Sequence, residues 1–159
     1  MGSNPTRSTP RKADVSVPEG TIVDIERLAV WTVAVHTVVV TIHAIAHASL
    51  QILPAAPDGI FIVITYFVAP VLSAFLLRTR PEFARPLFFL AMLAGFTYGF
   101  AYHFFLQGPD NIASVARDGW GLVFIGSTAV LALLEASGTF LGILLLRPPR
   151  RNPAPAAGS

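Results

Sequence analysis

His36, His43 and His47 follow one another at spacings of seven and four inside one apolar stretch, and His103 stands inside another. At about 100° per residue the first three fall on a single helical stripe. His43 and His47 form an i,i+4 pair that can direct two imidazole nitrogens at one ion. His103 can supply a third nitrogen. Asp110, in the turn-forming run Gln107-Gly108-Pro109-Asp110-Asn111, can supply an oxygen. Three nitrogens and one oxygen suit Zn²⁺ or Cu²⁺ by ligand softness. Alternatively, His43 and His103, on different helices, can serve as the axial ligands of one b-type haem. Against both stands the plainer reading, in which histidines near a membrane interface are satisfied by headgroups and water.

Glu135, in Leu134-Glu135-Ala136-Ser137-Gly138, is the one acidic residue inside an apolar stretch. Ionisable groups at membrane depth are costly and by default mark functional sites. Paired with His36, Glu135 would either handle a proton or join two helices by a hydrogen bond worth on the order of 1 kcal/mol.

The elements that must position these groups are membrane spans. Apolar residues make up 53% of the 159 and charged residues only 13%, with a mean hydropathy of +0.64. Soluble domains carry about 25% charged residues. Four apolar stretches, at about 28–53, 59–77, 86–106 and 120–146, each meet the roughly 17–25 residues that a crossing helix needs. Pro54 is expected to stop the first, Pro70 to kink the second, and Pro86 to open the third. Ala46-His47-Ala48 resembles a signal-peptide cleavage site, but the apolar run before it exceeds the roughly 7–15 residues of such a leader.

The fold class is therefore all-α, an integral-membrane four-helix bundle spanning 21–147. Polar segments 1–20 and 148–159 read as disordered cytoplasmic tails. Small residues at four-residue spacing (Ala44 and Ala48, Ala69 and Ser73, Ala91, Gly95 and Gly99, Gly138 and Gly142) are expected to let helices approach closely. Tyr102 and Trp120 fit an interfacial aromatic belt.

Ten of the 11 basic residues lie before the first stretch, between the second and third, or after the fourth. Only Arg117 lies on the opposite side. The positive-inside rule then makes both termini and residues 78–85 cytoplasmic, in a bacterial inner membrane. With a rise of about 1.5 Å per residue, His36 and Glu135 share a level about 12–16 Å from the cytoplasmic edge. His43, His47 and His103 share another, at about 22–28 Å.

Basic residues clustered at span ends form no nucleic-acid-binding stripe. The absence of cysteine excludes disulfides, thiolate metal sites and iron–sulfur clusters. No Walker loop, Gly-x-Ser-x-Gly or His-Glu-x-x-His motif is present, so nothing marks an enzyme. A di-iron bundle would need several inward glutamates. Three readings stay open: an accessory subunit binding a transition metal or haem, a proton-coupled small-solute carrier using His36 and Glu135, and a structural subunit without ligand. The partners expected are the lipid bilayer and a membrane protein or a second copy.

Topology is directly testable. Reporter fusions at residues 56 and 112 are expected to read the outer side while fusions at both termini read the cytoplasm. A cytoplasmic reading at 56 or 112 together with cytoplasmic termini breaks the four-span arrangement.

Overall fold

The structure is a computed structural model that describes residues 19–147, with side chains from residue 24 onward. The tails expected at 1–20 and 148–159 lie outside the described residues, except that Glu19 and Gly20 already belong to a helix. Four helices follow: α1 (Glu19–Ser49), α2 (Ala56–Leu76), α3 (Pro81–Phe105) and α4 (Gly119–Leu145). All four are long and apolar enough to cross a membrane, and the described residues contain no strand. Large apolar side chains point outward all along the bundle, among them Trp31, Phe75, Leu133 and Phe140. A surface of this kind suits lipid better than water.

Several boundaries differ from those the sequence predicts, each for a local reason. The chain leaves α1 at Ser49, before Pro54 is reached. Ile52 N–H bonds the His47 carbonyl at 3.0 Å and Gln51 N–H the Ala48 carbonyl at 3.2 Å. Gln51 has φ 57°, so the two bonds close the helix as a Schellman motif with glutamine where glycine is usual. Pro81, not Pro86, takes the first turn of α3, and Pro86 lies inside it.

The kink expected at Pro70 takes the form of a π-helical turn over Val63–Val68. There Ala69 N–H reaches back five residues to the Ile64 carbonyl. Proline cannot donate to its own i−4 carbonyl, and the wider turn just before it accommodates that loss. A second π turn, Ala101–Phe105, ends α3 with Leu106 N–H bonding the Ala101 carbonyl at 2.8 Å.

Helix α4 packs along both α1 and α3, and α2 packs mainly on α3, so α1 and α2 meet less closely. The α3–α4 seam depends on glycine. A Cβ at Gly142 would lie 2.8 Å from the Phe89 backbone, and one at Gly138 would lie 2.7 Å from Met92 Sδ. These two behave as the small-residue spacing predicts. Ala44 and Ala48 do not: both are exposed and border a cavity between the helices.

At the end of the bundle that holds residues 77–80, the core is apolar and closely filled. Phe88, Met92, Val33 and Leu141 pack together there. Arg85 donates to Glu26 Oε1 at 2.8 Å and ties α3 to α1 at that end. Toward the opposite end the interior turns polar.

Gly142→Ala should therefore destabilise the bundle by about 1–3 kcal/mol, because its methyl meets backbone that cannot swing away. Gly126→Ala, whose Cβ would meet nothing within 4 Å, should be neutral or stabilising by up to about 1 kcal/mol through helix propensity. Thermal unfolding in detergent checks the pair. Equal midpoints would mean the seam is not held at Gly142.

Candidate metal centre

His43 and His47 project from the last two turns of α1, and His103 from the π turn that ends α3. Each of the three offers a ring nitrogen within 4.8 Å of those of the other two. His43 Nε2 and His47 Nε2 stand 3.1 Å apart. The His43 ring meets His47 and His103 edge-on, at centroid distances of 4.6 and 5.1 Å. Phe124, fully buried on α4, packs against all three rings at 4.9–5.3 Å.

What holds the far side of each ring decides where its lone pair points. His47 Nδ1 lies 3.0 Å from the Ile52 carbonyl, and His103 Nδ1 lies 2.8 Å from the Asp110 carbonyl. A carbonyl only accepts, so both Nδ1 atoms carry the proton and both Nε2 atoms are bare. The helix-ending turn supplies the first carbonyl. The loop after α3 supplies the second, fastened by Ile112 N–H to the His103 carbonyl at 3.1 Å. Buried Asn111 shapes that loop by donating to the Leu106 carbonyl at 2.9 Å.

His43 Nδ1 meets Ser127 Oγ at 2.9 Å. The same hydroxyl lies 2.7 Å from the Val123 carbonyl and 3.0 Å from that of Phe124. When Ser127 donates to its own helix, it accepts from His43 Nδ1–H and the third Nε2 is bare as well. Three bare nitrogens then converge. When Ser127 donates to His43 Nδ1 instead, the His43 proton moves to Nε2 and bridges to His47. A rotation of one hydroxyl together with a change of the His43 tautomer separates a cation-ready set from a self-satisfied one.

Asp110 stands at the edge of this group, in a place other than the one its sequence position suggests. Its Oδ1 is buried, without a hydrogen-bond partner among the described residues, 3.5 Å from His47 Nδ1. That puts the carboxylate on the Nδ1 side of the His47 ring, not among the Nε2 atoms.

The second polar level is equally local. His36 Nε2 meets Glu135 Oε1 at 3.2 Å, both residues being about 98% buried. His36 Nδ1 has no partner among the described residues. Gly95 and Gly99, expected as helix-packing positions, serve here as room for polar groups. A Cβ at Gly95 would lie 3.2 Å from Glu135 Oε1, and one at Gly99 would lie 2.8 Å from the Tyr66 hydroxyl. Tyr66, carried inward by the π turn of α2, donates to the Gly95 carbonyl at 2.7 Å.

One cavity of about 190 Å³ joins the two levels, bordered by the three histidines at one end and by Glu135 and Tyr66 at the other. Tyr102, expected from sequence as an interfacial residue, borders this cavity and stacks on Tyr98 at 4.3 Å. Ser127, Phe124 and Tyr66 are neither charged nor imidazole side chains, so their types alone do not mark them in the sequence. Phe124, Thr128, Leu131 and Glu135 do share one buried stripe of α4, and that periodicity was the available signal.

No protein-family model, curated protein or solved structure matches this chain.

Glu135→Gln keeps the acceptor oxygen and the side-chain volume, so its unfolding midpoint should stay within about a degree or two of wild type. Glu135→Leu strands the His36 N–H and should cost about 1–3 kcal/mol. If the two variants unfold together, the pair contributes nothing to the fold.

Proposed function

We propose that this protein is a multi-pass membrane protein that binds one transition-metal ion, Zn²⁺ or Cu²⁺, through the Nε2 atoms of His43, His47 and His103. In this reading the four helices cross the cell membrane with both termini cytoplasmic. The ion then sits near the outer face, where the protein acts as an accessory subunit of a metal-handling or redox system. The observation that carries the reading is the convergence of nitrogens whose opposite ring atoms are each held by an oxygen. Metal-ligating histidines almost always donate their other N–H in this way. Zn–N distances of about 2.0–2.1 Å in tetrahedral geometry require neighbouring nitrogens about 3.3 Å apart. The 3.1 Å separation of His43 and His47 Nε2 comes close to that.

Haem fits less well. The three imidazoles and Phe124 occupy one another's faces and edges at 4.6–5.8 Å. That leaves no flat slot for a macrocycle between His43 and His103. The proton-coupled carrier has its His36–Glu135 contact. However, the filled cluster around Phe88, Met92 and Leu141 separates that pair from the opposite end of the bundle. A site closed toward that end suits binding.

Metal per purified protein, measured by elemental analysis, tests the proposal. Wild type should hold close to one ion. His43→Ala, His47→Ala and His103→Ala should each lose most of it. The His43→Ala/His103→Ala double variant should add little further loss, because the three ligands share one coordination sphere. His36→Ala should keep the ion. Uptake should also fall as the solution is made more acidic, because a protonated imidazole cannot ligate a metal. Unchanged stoichiometry in both His43→Ala and His103→Ala would overturn the proposal.

A further inference from the structure

Three protein ligands leave a metal ion with an open position, the arrangement of sites that take up an exogenous ligand. The surroundings fix which way that position faces. Phe124 covers the histidine group on the α4 side and does not border the cavity, whereas His43, His47 and His103 all do. An ion at the converging nitrogens is therefore capped by Phe124 and open toward the 190 Å³ space.

That space has a defined chemical character. Its walls are mostly apolar and aromatic, with Phe67, Tyr98 and Leu131 among them. Among the described residues no lysine or arginine borders it, so the walls offer an anion no fixed cation. Its far end carries Glu135 and Tyr66, both buried. Ser127, which touches His43, and Glu135 lie eight residues apart on α4, a distance along the axis of about 12 Å. Small residues keep the volume open: Ala132 on α4, Gly99 on α3 and Ala44 and Ala48 on α1 all border it.

Resting on the metal reading above, we infer that this cavity binds a small, flat, neutral molecule whose nitrogen donor completes the metal's coordination while its body lies along the aromatic wall toward Glu135. A nitrogen donor suits a borderline metal already held by imidazoles. Neutrality follows from the charges present: the walls hold the carboxyl groups of Asp110 and Glu135 and no lysine or arginine, which disfavours an anion, and the metal's own charge disfavours a cation at the donor end. Flatness follows from the aromatic lining, against which a ring stacks offset or edge-on.

The test uses full-length protein loaded with Co²⁺, whose visible d–d bands report coordination number, in detergent. Metal content is measured first. Azide and 4-phenylimidazole are then titrated separately. 4-Phenylimidazole should shift the Co²⁺ bands saturably and bind at least tenfold more tightly than azide. Ala132→Phe, which fills the cavity away from the histidines, should retain Co²⁺ and weaken 4-phenylimidazole at least tenfold. Leu133→Phe, on the exposed side of the same helix, should leave both unchanged. If Co²⁺ binds but its spectrum ignores 4-phenylimidazole, the inference fails while the metal site stands. It fails equally if Ala132→Phe binds the probe as tightly as wild type, or if azide binds more tightly. If no Co²⁺ binds, the metal reading itself fails and the cavity ligand with it.

Discussion

A buried nitrogen or oxygen in an apolar bundle depends on a partner within the protein, because left unpaired it costs about 1–3 kcal/mol or more. That requirement organises the polar half of this molecule. Carbonyls at Ile52 and Asp110 hold the backs of His47 and His103, and a carbonyl can play only one part in a hydrogen bond. Backbone geometry thereby sets the tautomer of two imidazoles. Ser127 holds the third and can play either part. The group can therefore satisfy itself through a His43–His47 hydrogen bond or present three lone pairs to a cation. Neither state requires a helix to move.

The backbone departs from regular α geometry where these side chains are needed. Glutamine at φ 57° is a position glycine would occupy with less strain, by about 1–2 kcal/mol. The turn it closes is the one that brings the Ile52 carbonyl to His47. The π turn over Ala101–Phe105 carries His103, and the one over Val63–Val68 carries Tyr66. Such turns are frequent at functional sites. The turn in α2 has an independent cause in Pro70. The turn in α3 has none in its sequence, and its effect is to place Tyr102 and His103 together on the cavity wall.

The four helices were legible because hydropathy over 20 residues depends on no partner. The same holds for the shared levels of His36 with Glu135, and of His43, His47 and His103. A rise of about 1.5 Å per residue is local geometry, and antiparallel helices convert it into height. Helix ends were less legible. Pro54 and Pro86 are strong local signals, yet a Schellman closure and an earlier proline acted first. Two roles could not be read at all. Gly95 and Gly99 follow the same spacing as Gly138 and Gly142, but the first pair makes room for Glu135 and Tyr66 and the second for Phe89 and Met92. Which one a glycine faces depends on the rotation of the neighbouring helix, and spacing along one chain carries no such information. Asp110 likewise has the chemistry of a ligand, while its position behind His47 comes from the path of a loop.

The unequal seams of the bundle bear on what it can do. Helix α4 is locked to α3 where a single methyl would collide with backbone, and Arg85–Glu26 ties α1 to α3 at the filled end. The α1–α2 seam is bordered instead by exposed Ala44 and Ala48, whose side chains are too short to close it. Any widening that admits a molecule should therefore take place between α1 and α2. The histidine group spans α1 and α3, with Ser127 and Phe124 behind it on α4, and no member comes from α2. An opening at that seam would leave the three imidazoles, Ser127 and the Asp110 carbonyl in place, and of the supporting oxygens only that of Ile52 lies in the connection between α1 and α2. Rigid nitrogens beside a yielding wall would let an ion, on the proposed reading, stay bound while a second ligand comes and goes.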